Sequence, residues 1–552
     1  MRWTVAAFAA IAVAYALPMQ SVGCNQTAHY AAIRAFAHAR ASIDPWAEET
    51  CDATYYHGHF YAAKAPGLDF LTVPWYLLLH ALGAVPPNPN RGEGYPAAML
   101  GVPLRALWQL GLWAAVLPAL ALLVLVRRAA ELLQPRTGTA VAAALALGTM
   151  ILPFSTLLFA HVLATCLVFG AFAILLERVT PARGAAAGVL AGLAVFVDFP
   201  VAVAGAFVGL YALLRSPRVA TAGAFTLGVF AGLVPLGLFN RWAFGSFTRL
   251  SYTDEIAVKT SRGHEVLYHV PGFFSLRTPS LRTAMELLFS SKGLLVLSPI
   301  LAAALAGLVL LWRGGRRLEA GVIGALVVTE VVWNSGRSAP FGGWVPGPRY
   351  LIPILPFLVL GLAPLLARRP LVVAVLAIVS IGAMTIATSA EPLLSGFDTR
   401  HWIDRIRAGN FAATIVSLAG VGHGWLAILP FFALVLVAVA AVAVASPLSV
   451  ERVDIVVAAA SLVAWILVEH AAPTLLHVDV LTGQDWGLVA VLALVAALVL
   501  AVARGRLLAA LPLLAFATVQ FDRHTKWALA VAVVTGLATV LPGRLRRSAQ
   551  TA

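Results

Sequence analysis

The chemistry-bearing side chains of this sequence gather in its first polar interval, between two strongly apolar runs. Lys64 stands there in Gly58-His59-Phe60-Tyr61-Ala62-Ala63-Lys64-Ala65-Pro66-Gly67. An ammonium fixed beside a Pro-Gly turn can hold a phosphate as a point charge, although a single lysine near a membrane surface usually just snorkels to water. Upstream lie Asp44, in Ser42-Ile43-Asp44-Pro45-Trp46, and Asp52, in Glu49-Thr50-Cys51-Asp52, with Glu48 and Glu49 as weaker candidates. A carboxylate within hydrogen-bond reach of a hydroxyl can take its proton as general base; the ordinary alternative is a solvated loop charge or a helix N-cap.

Further along, Phe341-Gly342-Gly343-Trp344-Val345-Pro346-Gly347-Pro348-Arg349-Tyr350 opens another apolar run. Glycines let backbone come close to a ligand, and the Arg349 guanidinium offers a planar fork to phosphate or sugar oxygens. Trp344 and Tyr350 would flank it, unless they serve only as interfacial anchors. His161 follows Leu152-Pro153-Phe154-Ser155-Thr156, and Asp198 sits in Val197-Asp198-Phe199-Pro200, each between short apolar runs. Polar groups at such depth are expensive and often functional; capping or a hydrogen bond between helices would also account for them. With Tyr61 and Trp344 they complete a candidate substrate groove, which Asn240 to Ser246 could extend. Cys24 and Cys51 share the first interval and can pair in an oxidising compartment, closing a loop for about 3 to 4 kcal/mol in the chain-entropy model. No His/Cys spacing reads as a zinc site. No cofactor is required, and the loop carboxylates leave room for a divalent cation without implying one.

What must position these residues is a set of apolar helices. The chain of 552 residues is 61% hydrophobic and 11% charged, with mean hydropathy +0.89; ordinary soluble chains carry about 25% charged residues. Apolar runs of roughly 17 to 25 residues predict an all-α polytopic membrane protein, and their continuity excludes a barrel of alternating strands. The net charge of +14 does not point to nucleic acid. Arg127-Arg128, Arg215 to Arg218, Arg313 to Arg317, Arg368-Arg369, Arg504 to Arg506 and Arg544 to Arg547 all follow apolar runs, as cytoplasmic arginines do.

Parity then sets the order. A span near 3–19, read as retained rather than as a cleaved signal, leads into a first outer loop at 20–104. This loop contains two interfacial helices, Ala28 to Arg40 and Leu68 to Leu82. Were the second to cross, Arg127-Arg128 would face outward, so it is placed flat on the outer surface. Further spans are expected near 105–126, 137–153, 157–177, 184–197, 200–214, 219–238, 293–312, 319–333, 351–367, 371–388, 424–446, 454–470, 486–503, 507–520 and 527–541. That makes about sixteen, with both termini cytoplasmic. Residues 1–400 form the expected catalytic core and 401–552 an appended helical bundle.

This arrangement resembles the glycosyltransferase-C superfamily, in the branch of aminoarabinose transferases and protein O-mannosyltransferases. Gly58 to Pro66 is similar to the segment that branch places beside its donor's lipid phosphate, and Gly347-Pro348-Arg349-Tyr350 to a later outer motif. The resemblance covers roughly residues 1–400. It implies a bacterial plasma-membrane enzyme that moves a sugar, with inversion, from a polyprenyl-phosphate donor to a glycan, lipid or protein acceptor at the extracytoplasmic face. It also implies that Lys64, Arg349 and Tyr350 hold the donor phosphate and that a loop carboxylate is the base. One departure stands out: the branch opens its first flat helix with an Asp-Glu pair, and this chain has Asn25-Gln26. The catalytic role would therefore pass to Asp44 or Asp52. A transporter or flippase of lipid-linked sugars is the rival class; transporters favour midplane sites and paired repeats, whereas here the ionisable residues crowd the ends of the runs and no repeat is visible.

Overall fold

The computed structural model describes residues 2–86, 97–215, 217–261, 264–269, 279–337, 339–393, 400–446 and 449–472. Their architecture is a helical bundle with small sheets at one end. Arg2–Ala16 (α1) leads to Cys24–Ala37 (α2) and Gly67–Ala81 (α3). Leu104–Leu133 (α4), which includes a π-helical turn at Leu112–Val116, starts the continuous bundle. There follow Gly138–Gly148 (α5), His161–Glu177 (α6), Pro181–Val197 (α7), Ala202–Leu214 (α8) and Arg218–Phe244 (α9). Leu281–Phe289 (α10), Ile300–Arg313 (α11) and Arg317–Ser335 (α12) come next, then Arg349–Arg368 (α13) and Pro370–Ala390 (α14). Trp425–Ala445 (α15) and Arg452–Ala471 (α16) complete the described bundle.

Seven of these helices are long and apolar enough to cross a membrane, one further pair is bent by 90° at its break, and five are apolar but shorter. The chain is an integral membrane protein of polytopic helical fold. Each span expected before residue 472 coincides with one of these helices, and the spans expected near 486–503, 507–520 and 527–541 lie outside the described residues. Helices stand at both places expected in the first loop, as α2 and α3. What the helical reading did not include is a four-stranded antiparallel sheet. It is built from Asp52–Tyr56 (β2), His59–Ala62 (β3), Glu255–Ser261 (β4) and His264–His269 (β5), in the order β3-β2-β4-β5. Pro18–Met19 (β1) also pairs with Ala413–Thr414 (β6), tying the end of α1 to the segment before α15.

At one end of the bundle four arginines are paired with acids. Arg128 and Arg183 meet Glu177, Arg215 meets Glu319, and Arg369 meets Asp454. The opposite end carries α2, α3 and the sheet. Neighbouring helices run antiparallel between the two ends, as short connections require.

The tightest helix pair is α7 against α9, and glycine makes it possible. A Cβ on Gly188 would sit 2.0 Å from the Phe225 carbonyl oxygen, and one on Gly192 would sit 2.4 Å from that of Val229. From the other side, Gly228 meets the Ala185 carbonyl and Gly232 that of Val189 in the same way. Small residues at four-residue spacing let backbones approach where lipid supplies no hydrophobic drive. The loop holding α2 is closed by a disulfide between Cys24 and Cys51, while Cys166 is free.

Two outcomes follow. Gly188→Leu must push α7 and α9 apart and should lower the thermal midpoint in detergent, with overpacking costing about 1 to 3 kcal/mol or more. Gly223→Ala, which meets nothing within 4 Å, should be neutral or stabilising by up to about 1 kcal/mol. Thiol alkylation of the denatured, unreduced protein should label one cysteine, and reduction should expose all 3; three labelled thiols without reduction would refute the Cys24–Cys51 bond.

Candidate active site

The polar groups at the sheet-bearing end converge on one small cleft. Asn25 and His29 come from α2, Lys64 and Ala65 from the segment before α3, and His161 from the first turn of α6. Asp198 comes from the end of α7, Tyr252 from the chain after α9, and Arg349 and Tyr350 from the start of α13. Six separate segments therefore meet there.

Lys64 is placed by the sheet. The β2 strand pairs with β3 so that Ala53 faces Ala62, and the Ala63 amide donates to the Asp52 carbonyl. The next residue thereby stands beside Asp52, and the Lys64 Nζ lies 2.9 Å from an Asp52 oxygen. Ser251 donates its hydroxyl to the Lys64 carbonyl, and Thr54 donates to the Ser251 carbonyl. These bonds, with the β2–β4 pairing, fasten the post-α9 chain to the lysine. Pro66 then turns the chain into α3. Its first residue, Gly67, has no room for a side chain, since a Cβ would lie 2.6 Å from the Phe196 carbonyl oxygen. That close approach seats the lysine segment on the end of α7.

Arg349 depends on the glycine turn before it. Gly342 has φ +85°, and a Cβ there would fall 2.4 Å from the Arg349 Nε. Only glycine adopts that backbone freely and clears the guanidinium. The guanidinium donates to the Tyr350 hydroxyl at 3.3 Å and lies over the Phe159 ring at 5.5 Å. Its Nε is buried with no protein partner.

Two histidines are each locked to a carboxylate. His161 Nδ1 lies 2.6 Å from Asp198 Oδ2, and His29 Nδ1 lies 2.7 Å from Asp69 Oδ1. All four side chains are buried. Left over inside are His161 Nε2, Asn25 Oδ1 and Asp69 Oδ2, buried without a hydrogen-bond partner. Buried polar atoms in folded proteins are almost always bonded, so a cluster of such atoms around one cleft marks a place built for a polar guest.

The loop carboxylates differ in environment. Burial pushes the Asp52 carboxyl up, but the adjacent Lys64 ammonium, helped by Arg349 and His29, outweighs it and holds Asp52 below the usual carboxylate range. Burial pushes Asp69 up, and His29 offsets this only in part, so it stays above that range. For Asp44 burial is the largest single effect and raises the value, but bonds from the Phe60 amide, His59 and Ser42 together exceed it, and the value is lowered.

Of the residues singled out in the sequence, the fold brings Lys64, His161, Asp198, Arg349 and Tyr350 to the cleft, with Asp52 bonded to Lys64. Asp44 is not among the lining residues. Its two oxygens are taken by the Phe60 amide at 2.6 Å and by His59 and Ser42 at 2.8 Å, so it pins the β3 strand to the turn at Asp44–Glu49. Glu49 is bound to Arg34 of α2. Tyr61 packs with Phe239, Ala243 and Phe244 in an aromatic cluster, and Trp344 is 61% exposed; neither lines the cleft. Asn240 is spent inside the protein, donating to the Phe247 carbonyl. Sequence reasoning missed His29, Asp69 and Tyr252. Asp69, an acid in an apolar helix two residues past its start, was the available signal for the second pair. Among the described residues no group of three or more His, Cys, Asp or Glu side chains could hold a metal ion.

No protein-family model matches the chain, and no curated protein does. Among solved structures it is similar to ArnT from Cupriavidus metallidurans in the apo state, at 17% identity and TM-score 0.39, covering 91% of this chain and 75% of that one. It is also similar to the same protein bound to undecaprenyl phosphate, at 15% identity and TM-score 0.39, covering 98% of this chain and 77% of that one. Likeness of that size assigns no function, and the reading below stands on the cleft.

The Lys64–Asp52 pair makes a pH-dependent contribution whose sign is fixed by the lowered Asp52 value. Asp52→Asn leaves Lys64 buried without its counter-charge and should cost on the order of 3 kcal/mol near neutral pH. The wild-type advantage should be complete above the ordinary carboxylate value of about 4 and disappear as pH falls through the lower folded value. Thermal midpoints of both proteins across that range check it; an advantage that grows on acidification would show that the ion pair is not its source.

Proposed function

We propose that this cleft transfers a sugar from a polyprenyl-phosphate donor to a hydroxyl acceptor at the extracytoplasmic membrane face, with inversion at the anomeric carbon. The observation that carries the reading is the meeting of two cations, the buried Lys64 and the half-buried Arg349, with buried imidazole and carboxylate groups in one cleft at the end of a membrane bundle. A lipid phosphate is an anion tethered to a hydrophobic chain, and a cationic cleft at the rim of an apolar bundle suits both of its parts. The sequence resemblance supports the same class. Parity of the arginine-rich ends supports an extracytoplasmic site and a plasma-membrane location.

In the proposed reaction the acceptor oxygen attacks the anomeric carbon as the bond to the phosphate oxygen breaks. Negative charge grows on the departing polyprenyl phosphate. Lys64 and Arg349, fixed before the reaction starts, stabilise that charge without reorganising, which is where electrostatic catalysis is largest. Tyr350 donates or relays a hydrogen bond beside Arg349. The proton acceptor belongs to the acidic and imidazole side of the cleft. No step calls for a cofactor, and a divalent cation has no three-ligand seat among the described residues. The glycan, lipid or protein nature of the acceptor belongs to the test rather than to this geometry.

The decisive experiment reconstitutes the full chain in vesicles with a panel of polyprenyl-phosphate pentoses and hexoses and follows labelled sugar into envelope acceptors. The wild type should consume at least one donor. Lys64→Ala and Arg349→Ala should each lose about 100- to 1,000-fold in turnover and bind polyprenyl phosphate more weakly. Full transfer by the double variant would falsify the assignment, as would donor movement across the bilayer with no chemical transfer.

A further inference from the structure

Resting on that transferase reading, we propose that the proton acceptor for the attacking hydroxyl is His161, oriented by Asp198, in place of a loop carboxylate. The geometry is that of a histidine–carboxylate dyad. Nδ1 faces the Asp198 oxygen at 2.6 Å, so the ring hydrogen sits on Nδ1 and the lone pair on Nε2, the tautomer a general base needs. Nε2 is buried and has no protein partner. Both members of the dyad line the same cleft as Lys64 and Arg349, so a donor phosphate held by the cations would bring its anomeric carbon to the imidazole side. Tyr350 and Phe154 pack edge-on against the ring, at 6.0 and 5.8 Å between centroids, and fix its plane.

The other candidates are spent or misplaced. Asp52 is committed to Lys64 and held as a weak base. Asp44 is absorbed in the β3 turn. Asn25 also lines the cleft, but an amide takes no proton. His29 also lines the cleft, but burial holds its partner Asp69 above the usual carboxylate range, which weakens its support for an imidazolium.

The step balances as follows. The acceptor O–H bond breaks, its proton goes to His161 Nε2, and the oxygen's electron pair forms the new bond to the anomeric carbon. The electrons of the old carbon–oxygen bond leave on the polyprenyl phosphate. Asp198 stabilises the imidazolium, which then returns its proton to the phosphate dianion or to water.

The test uses the full chain in vesicles with whichever donors of the panel the wild type consumes. His161→Gln and Asp198→Asn should each reduce turnover by about 100- to 10,000-fold while polyprenyl phosphate binding stays within about threefold of wild type. Asp198→Asn preserves the shape of the pair but favours the wrong tautomer, so it decides the matter if His161→Gln fails to fold. The charged or titratable neighbours acting on the ring are Asp198, Arg349 and His29, with Tyr350 packed against it. The acidic fall in wild-type turnover should be absent from the residual activity of His161→Gln. Turnover above about a third of wild type in either variant, an unchanged acidic fall, or a larger loss in His29→Gln would overturn the dyad and leave the transferase standing. A wild type that consumes no donor brings down both.

Discussion

Charge buried at the end of an apolar bundle is the constraint on which the rest of this structure depends. Moving an ammonium or a guanidinium out of water costs several kcal/mol even after relaxation, and Lys64 is only 7% exposed. Asp52 answers Lys64 at 2.9 Å, but Arg349 finds a phenol and an aromatic face in place of a carboxylate. The chain thus holds cationic capacity that its own acids do not fully engage. An anionic guest restores the balance, which is why the cleft reads as a binding site and not as a structural salt-bridge cluster. The opposite end of the bundle shows the contrast: there Arg128, Arg183, Arg215 and Arg369 each have an acidic partner.

Such a cleft needs a scaffold that does not give. The α7–α9 contact supplies it on one side, because carbonyls meeting glycines at close range leave the helices a single register. α7 carries Asp198 at its end, and Gly67 presses the lysine segment against the same end. Asp198 and Lys64 are therefore referenced to one helix terminus. On the other side the Cys24–Cys51 bond and the Arg34–Glu49 pair hold α2 against the loop, which sets Asn25 and His29. A site assembled from six segments keeps sub-ångström geometry only when its supports are this short and stiff.

The bundle was legible in the sequence because a membrane helix must be apolar along its whole length, and no interruption by charge goes unnoticed. Lys64, His161, Asp198 and Arg349 were legible for the same reason: each is conspicuous against an apolar background. The sheet was not, because β2 finds its partner β4 about 200 residues away, Ala53 facing Ile256, and local pattern says nothing of such pairing. Asp44 drew attention by proximity in sequence to Lys64, yet hydrogen bonds to the β3 turn claim it. His29 went unnoticed because its partner, Asp69, lies 40 residues away on another helix.

The amide at position 25 fits this electrostatic picture. Asp52 and Asp198 already supply two acids in or beside the cleft, against Lys64 and Arg349. A third carboxylate in place of Asn25 would compete with an anionic guest for the cationic capacity that the cleft's own acids leave unengaged, that of Arg349 above all. An amide accepts a hydrogen bond from a hydroxyl through its carbonyl oxygen, and Asn25 Oδ1 is buried and unpartnered, but it cannot take the proton. In the proposed reaction, orientation of the acceptor and removal of its proton are then separate duties. Asn25 can perform the first, and the second falls to a base that is neutral before the reaction, a condition an imidazole meets and a carboxylate does not.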